Sequence, residues 1–358
     1  MQPRSDIIEK IRTLRHVLHE NAEVSGKETR TRELLWSFLA QNTSLELHAL
    51  DGGFYAAHRE EDDDPSIALR ADYDALPAEG GAAHLCGHDG HAAALCGAAL
   101  LCEGQKTGKN LFFLFQGGEE DGSGALKCLS LFDREHIDAI YGAHNLPGIP
   151  LGAVMTRRGT FACASCGLIL RFAGRPAHAA YPENGLSPAP AMGELLCALS
   201  ALTDPKKPRD GIHLCTVIGL RMGEKAFGKA ASDAELYLTL RSETNDGIAR
   251  MRGEILSRAQ QLAQRDGLTC SAEEQDVFPA VENDPLLADR ILTCCGGRLL
   301  PEPMRWSEDF GQYLTRCHGA FFGIGAGEAC PPLHDRRYEY PDALLEYAVG
   351  AFEKMIFS

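Results

Sequence analysis

Apolar residues recur at helical spacing at the start of the chain, where Ile7, Ile11, Leu14 and Leu18 predict an amphipathic helix. Ser25-Gly-Lys-Glu28 has the form of a capping box, and Leu34, Leu35, Phe38 and Leu39 continue it as a second helix. The rhythm then changes to short, nearly continuous apolar runs, SIALRA (66–71), NLFFLFQ (110–116) and DAIYGAH (138–144), separated by helical stretches. Strands apolar on both sides must be covered on both faces, which predicts a mostly parallel sheet between helices. After about residue 160 the pattern changes again. CGLILRFAG (166–174), HLCTVIGLRM (213–222), AELYLTLRS (234–242) and LTCSAEEQ (268–275) read as strands, with helical patterns at 188–202 and 245–265. That β-α-β-β-α-β order is the split βαβ, or ferredoxin-like, unit. MRWSEDFGQYL (304–314), GAFFGIGAG (319–327) and a closing helix from about Pro341 restore α/β character. The expected organisation is a discontinuous α/β catalytic domain, residues 1–160 and 279–358, interrupted by an inserted α+β domain, 161–278.

Composition changes this picture little. Of the 358 residues, 44% are hydrophobic and 24% charged, the balance of a globular protein with about two cores. A formal charge of −15 and the lack of a basic stripe argue against nucleic acid as a partner. The start, MQPRSDIIEK, carries no apolar signal core, and the small-apolar run Ala92–Cys102 is far short of the ~20 residues that span a bilayer. A cytoplasmic protein with reduced thiols is expected from the 13 irregularly spaced cysteines.

The chemistry gathers at or just past the ends of the apolar runs, where open α/β sheets place their ligands. LCGHDGH (85–91) offers Cys86 and His88, whose alternate spacing in an extended loop, before a helix starting near His91, lets both reach one centre. A thiolate donor favours Zn, Mn, Co or Ni over Mg. In FQGGEEDGSG (115–124), Glu119 and Glu120 are adjacent, so one would ligate while the other faces the attacking water. His144 ends its strand within GAHNLPG (142–148), and Asp72 and Asp74 end the strand before them. Asp74 would suit an acceptor that fixes the tautomer of a ligand imidazole. His334, in LHDRRYEYPD (333–342), precedes the last helix and could return to the same sheet edge. Each motif alone has an ordinary structural reading, and their coincidence carries the argument.

In order and spacing, ALRADYDALP, HLCGHDGH, FQGGEE, HNLPG, GRPAHAAYPENG, EEQDVFPAVEND and SEDFGQYL resemble the aminoacylase-like two-metal peptidases, and within them the amidohydrolase branch. The resemblance implies two divalent ions (Zn, Mn, Ni or Co) held by Cys86, His88, Glu120, His144 and His334. It makes Glu119 the general acid/base, with Asp74 supporting the metals. The inserted domain would be a lid and homodimer surface, with His178 reaching a substrate carbonyl and Arg241 at the position of a lid arginine. Two departures stand out. Gly228 occupies the place of a lid asparagine that helps grip the substrate carboxylate, and Gly117-Gly118 replaces the commoner Pro-Ala before the glutamates.

The implied reaction is hydrolysis of the amide of an N-acyl amino acid or similar conjugate. Lid closure would hinge near 157–162 and 276–282. The alternative within the same chemistry is a two-metal aminopeptidase or dipeptidase. Alternatives of other classes are a thiol-disulfide protein built on Cys163-Ala-Ser-Cys166, and a catalytically silent binding protein. The first is disfavoured because redox pairs open helices, whereas these cysteines enter a predicted strand.

Overall fold

A computed structural model describes residues 4–202 and 211–358. Chain contacts divide it into two units. One comprises residues 1–161, 281–303 and 308–358, and the other residues 162–280 and 304–307.

The first unit is built on an eight-stranded mixed sheet. Its centre is four parallel strands in the spatial order Asn110–Gln116, Ser66–Asp72, Ala139–Pro147 and His318–Gly327. All seven residues of Ser66–Asp72 and all seven of Asn110–Gln116 are buried, so successive side chains find cover on both sides of the sheet. Helices Arg4–Glu20, Thr29–Asn42, His88–Cys102 and Leu344–Ile356 share one apolar core with the sheet. The middle helix, HDGHAAALCGAALLC, has every residue buried. Its lack of a polar face is what a helix enclosed on all sides requires. At one edge Glu46–Leu50 and Gly53–His58 form an antiparallel hairpin across Asp51-Gly52, paired antiparallel to Asn110–Gln116. These short strands carry little alternation and were not foreseen.

In the second unit four antiparallel strands lie in the order His213–Met222, Asp233–Ser242, Ala164–Ala173, Thr269–Phe278. The helices Ala189–Leu202 and Asn245–Arg265 follow the first and third of these strands in sequence. Leu168, Leu170, Phe172, Leu236, Leu238 and Leu240 pack with Met251, Ile255 and Leu262 in a separate core. Cys163 and Cys166 are buried, with Cys166 inside a strand, and burial beside Glu274 pushes its thiol up to about 11. That environment suits a core thiol rather than a redox pair. Among the described residues, no helix is long and apolar enough to cross a membrane.

Candidate metal centre

Strand ends and the turns after them bring the motifs of the first unit to one place. Cys86 ends a turn, and Gly87 follows in left-handed backbone (φ 92°) as the residue before the helix His88–Cys102. Only a residue without Cβ takes that conformation easily, and a Cβ there would also meet Asn145 and the Tyr338 hydroxyl at 2.7 Å. The helix therefore begins at His88, three residues earlier than the sequence suggests. Cys86 and His88 converge through a turn instead of extended alternation. The Cys86 sulfur lies 3.4 Å from His144 Nε2. His144 sits inside its strand rather than at its end.

Glu119 and Glu120 occupy a tight turn, closed by Gly122 N–H donating to the Glu119 carbonyl. Gly118 enters it at φ 64°. The turn lets both carboxylates approach the same imidazole, His88 Nε2 being 3.9 Å from Glu119 Oε2 and 3.9 Å from Glu120 Oε1. His334 Nε2 is 3.7 Å from Glu120 Oε1. His334 itself has φ 66°, left-handed backbone in a non-glycine residue, with its N–H held by the Leu85 carbonyl. Such conformations cost about 1–3 kcal/mol and concentrate where a site demands them.

Candidate ligand atoms fall into overlapping triads, Cys86/His88/His144, Cys86/Glu120/His334 and His88/Glu119/Glu120, each with its atoms within 4.8 Å of one another. Two of these atoms, His88 Nε2 and Glu120 Oε1, are buried and make no hydrogen bond among the described residues. A buried polar atom without a partner costs free energy, and a cation between the members of the triads would satisfy both. The donor set of thiol, imidazoles and carboxylate thus fits borderline divalent ions. Burial and the nearby His91 hold His144 well below the ordinary imidazole range, in the neutral form that ligates. Burial pushes the Cys86 thiol well up, so a bound cation would have to displace its proton.

Around these atoms lies a shell that sequence patterns only partly exposed. Asp74 is fully buried and accepts from Ser25 Oγ (2.8 Å), Glu120 N–H (3.0 Å) and His88 Nδ1 (3.2 Å). The predicted capping box does not form. Ser25 is spent on Asp74, and Glu28 accepts from Gly118 N–H at 2.7 Å. Both side chains hold the site rather than the helix. His91 is held between Asp72 (2.6 Å) and Asn145 (2.5 Å), so the second imidazole of the motif serves as a strut. Arg70 is buried among Asp72 (2.7 Å), Glu308 (3.0 Å) and Asp309 (2.7 Å). Burial, then Glu308, Asp309 and Glu120, raise Glu119 well above the ordinary carboxylate range. Arg70, Glu308 and Asp309 were missed because a charged residue inside or after an apolar run gives no sign of where its partner will come from.

His178 belongs to the second unit. It is exposed and pairs in an isolated bridge with Lys229, while Ala179 N–H donates to the Gly228 carbonyl. The stretch containing Gly228 is thus the partner of the His178 loop. Arg241 donates to Ser307 Oγ at 2.7 Å and to the Arg305 carbonyl.

Known proteins share this sequence and architecture. The chain is 30% identical over 331 residues to N-acetyl-L-cysteine deacetylase of Bacillus subtilis, covering 87% of this chain and 79% of the relative. It is 27% identical over 376 residues to N-acetyldiaminopimelate deacetylase of Leuconostoc mesenteroides, covering 97% of each. A solved structure described as a dinuclear metal-binding peptidase of the M20 family, from Bacillus subtilis, has the same fold. Its TM-score is 0.83 at 22% identity, over 99% of this chain and 98% of that one. The sequence pattern of peptidase family M20/M25/M40 matches residues 68–358, and the chain belongs to that family.

Proposed function

We propose that this protein hydrolyses the amide bond of N-acyl amino acids with the help of two divalent metal ions. The observation that carries the reading is the convergence of Cys86, His88, Glu120, His144 and His334 with Glu119 beside them. Cys86, His88 and His144 would hold one ion and Cys86, Glu120 and His334 the other. When bound, such ions polarise a carbonyl and acidify water.

The chain's own contribution is proton handling and order. Glu119 takes a proton from the attacking water and returns it to the departing nitrogen. Burial, with Glu308 and Asp309 nearby, raises its proton affinity. Asp74 holds the His88 ring and, through Glu120 N–H, the turn that carries both glutamates. His178 is assigned the stabilisation of the carbonyl oxygen as negative charge develops there. The second unit is assigned the roles of lid and homodimer surface, its βαββαβ order supporting the ferredoxin-like reading. The deacetylase names of two relatives support an N-acyl amino acid substrate. A cytoplasmic setting fits a chain whose cysteines form no disulfide among the described residues.

The test is a panel of N-acetyl and N-benzoyl amino acids, with dipeptides alongside. It is run on chelator-stripped protein reloaded separately with Mn, Zn, Co and Ni. Metal-dependent release of free amino acid from the acylated substrates is expected. Preferential cleavage of dipeptides would replace this reading with the aminopeptidase one, and inactivity across the panel with every metal would defeat both.

A further inference from the structure

Beside the turn that carries Glu119 and Glu120, the first unit has a cavity of about 520 Å³ that is open to solvent on one side. That is the size of a small-molecule site. It adjoins the candidate metal centre through Glu28, Gly117 and Gly118, and none of the proposed ligands lines it.

Its walls carry charges of both signs: the half-buried Arg32 and Glu28, the latter accepting from Gly118 N–H, and the exposed Lys127 and Asp51 at its mouth. Arg32 has no hydrogen-bonding or ionic partner for its guanidinium among the described residues, and Lys127 Nζ donates only to Ser123 Oγ. Asp51 is likewise without a side-chain partner among them. The Tyr73 ring is buried, and its hydroxyl, which makes no hydrogen bond to protein among the described residues, opens onto the space. A hydroxyl at the wall of a cavity, bonded to no protein group, is open to a polar ligand as it is to water.

The family departure at Gly117-Gly118 helps to make the space. A Cβ on residue 117 would meet Glu28 Oε1 at 2.8 Å and the Tyr73 ring at 3.2 Å. Gly117 N–H donates to the Gly52 carbonyl at 2.9 Å, a bond that the commoner proline could not make. It ties the glutamate turn to the hairpin Asp51-Gly52 on the opposite wall.

We propose that this cavity is a second ligand site, and that it binds a free α-amino acid. The carboxylate would lie on Arg32, Lys127 and the Tyr73 hydroxyl, and the ammonium toward Asp51. Two cations would attract a simple anion as well, but the acidic wall at Asp51 favours a zwitterion over an anion alone. Binding here is independent of the hydrolytic reading, because it needs neither the metals nor Glu119.

The experiment is calorimetric titration of the metal-loaded protein with L-alanine, L-glutamine, acetate and ethylammonium. It uses wild type, Arg32→Gln, Tyr73→Phe and the metal-site variant His334→Ala, each checked by thermal melting. The amino acids are expected to bind wild type and His334→Ala alike. They should bind about tenfold or more weakly to Arg32→Gln, the loss of a charge-assisted hydrogen bond, and more weakly to Tyr73→Phe. Arg32→Gln should keep wild-type kcat/KM in the absence of added amino acid. Acetate binding as tightly as the amino acids would overturn the assignment of ligand class. Binding lost in His334→Ala but kept in Arg32→Gln would place the ligand at the metals and sink the proposal, as would no binding to wild type.

Discussion

Replacing Asp74 by alanine tests whether the centre is held by its supporting shell as the geometry implies. The carboxylate serves three donors at once, Ser25 Oγ, Glu120 N–H and His88 Nδ1, from full burial. Burial alone would raise its pKa, but His88, Glu120 N–H and Ser25 outweigh that and hold it below the usual range. The ionised form is therefore a net stabiliser of the folded site. The consequences separate by donor. His88 Nδ1 also lies 3.1 Å from the Asp74 backbone carbonyl, which the substitution leaves in place, so the ring keeps an acceptor and its tautomer. Loss of a carboxylate behind a ligand imidazole usually costs 10- to 100-fold in metal affinity. The surviving carbonyl puts Asp74→Ala at the lower end, about tenfold or ~1.4 kcal/mol. Glu120 N–H has no such substitute, and its exposure to an apolar void costs about 1–3 kcal/mol of stability. Because that N–H belongs to the turn carrying Glu119, activity at saturating metal should fall as well. Metal affinity is read by competition with a chromogenic chelator, stability by urea unfolding of the stripped protein, and kcat at saturating metal. Affinity within twofold of wild type, with unchanged kcat, would refute the claim that Asp74 organises the centre.

Four further substitutions have defined outcomes. Glu119→Ala should keep its metal content while losing about 10²–10⁴-fold in kcat, as expected for a general acid/base. His88→Ala should lose metal, and elemental analysis showing equal loss in both variants would remove the division of roles. Gly124→Ala would place a Cβ 1.7 Å from the Gly117 carbonyl and 2.6 Å from Gln116 Nε2. The strained glutamate turn should cost about 1–3 kcal/mol in thermal stability, with reduced kcat. Asp89 is buried, which would raise its pKa, but His84, His19 and Arg15 bring it down to about 2. A carboxylate depressed in the folded state stabilises above its unfolded pKa, so this contribution is complete above about pH 5 and is lost as pH falls toward 2. Asp89→Asn should therefore be less stable by roughly 2 kcal/mol at pH 7, with about half of the difference gone by pH 3. Urea unfolding at the two pH values would show a constant gap if the reasoning were wrong.

Periodicity and motif chemistry made much of the protein legible from its sequence. Runs such as NLFFLFQ cannot be exposed on either side, so they dictate a covered, mostly parallel sheet, and burial of all seven of its residues bears this out. Soft and hard donors placed after such runs announce a metal centre, because strand ends are where an α/β sheet presents side chains to a ligand. Local spacing, however, carries no information about partners that are distant in sequence. Ser25 and Glu28 fit a helix cap by pattern, yet a buried Asp74 and the N–H of Gly118 claimed them. Arg70 meets Glu308 and Asp309 across more than two hundred residues, and His91, in the same motif as His88, has both its nitrogens taken by Asp72 and Asn145. Which polar groups satisfy one another in a low-dielectric interior depends on the packing of the whole chain, because every buried donor needs an acceptor wherever it can be found. The sequence alone determined the elements and the donor types. Only the tertiary structure decided which donors face the centre and which hold it in place.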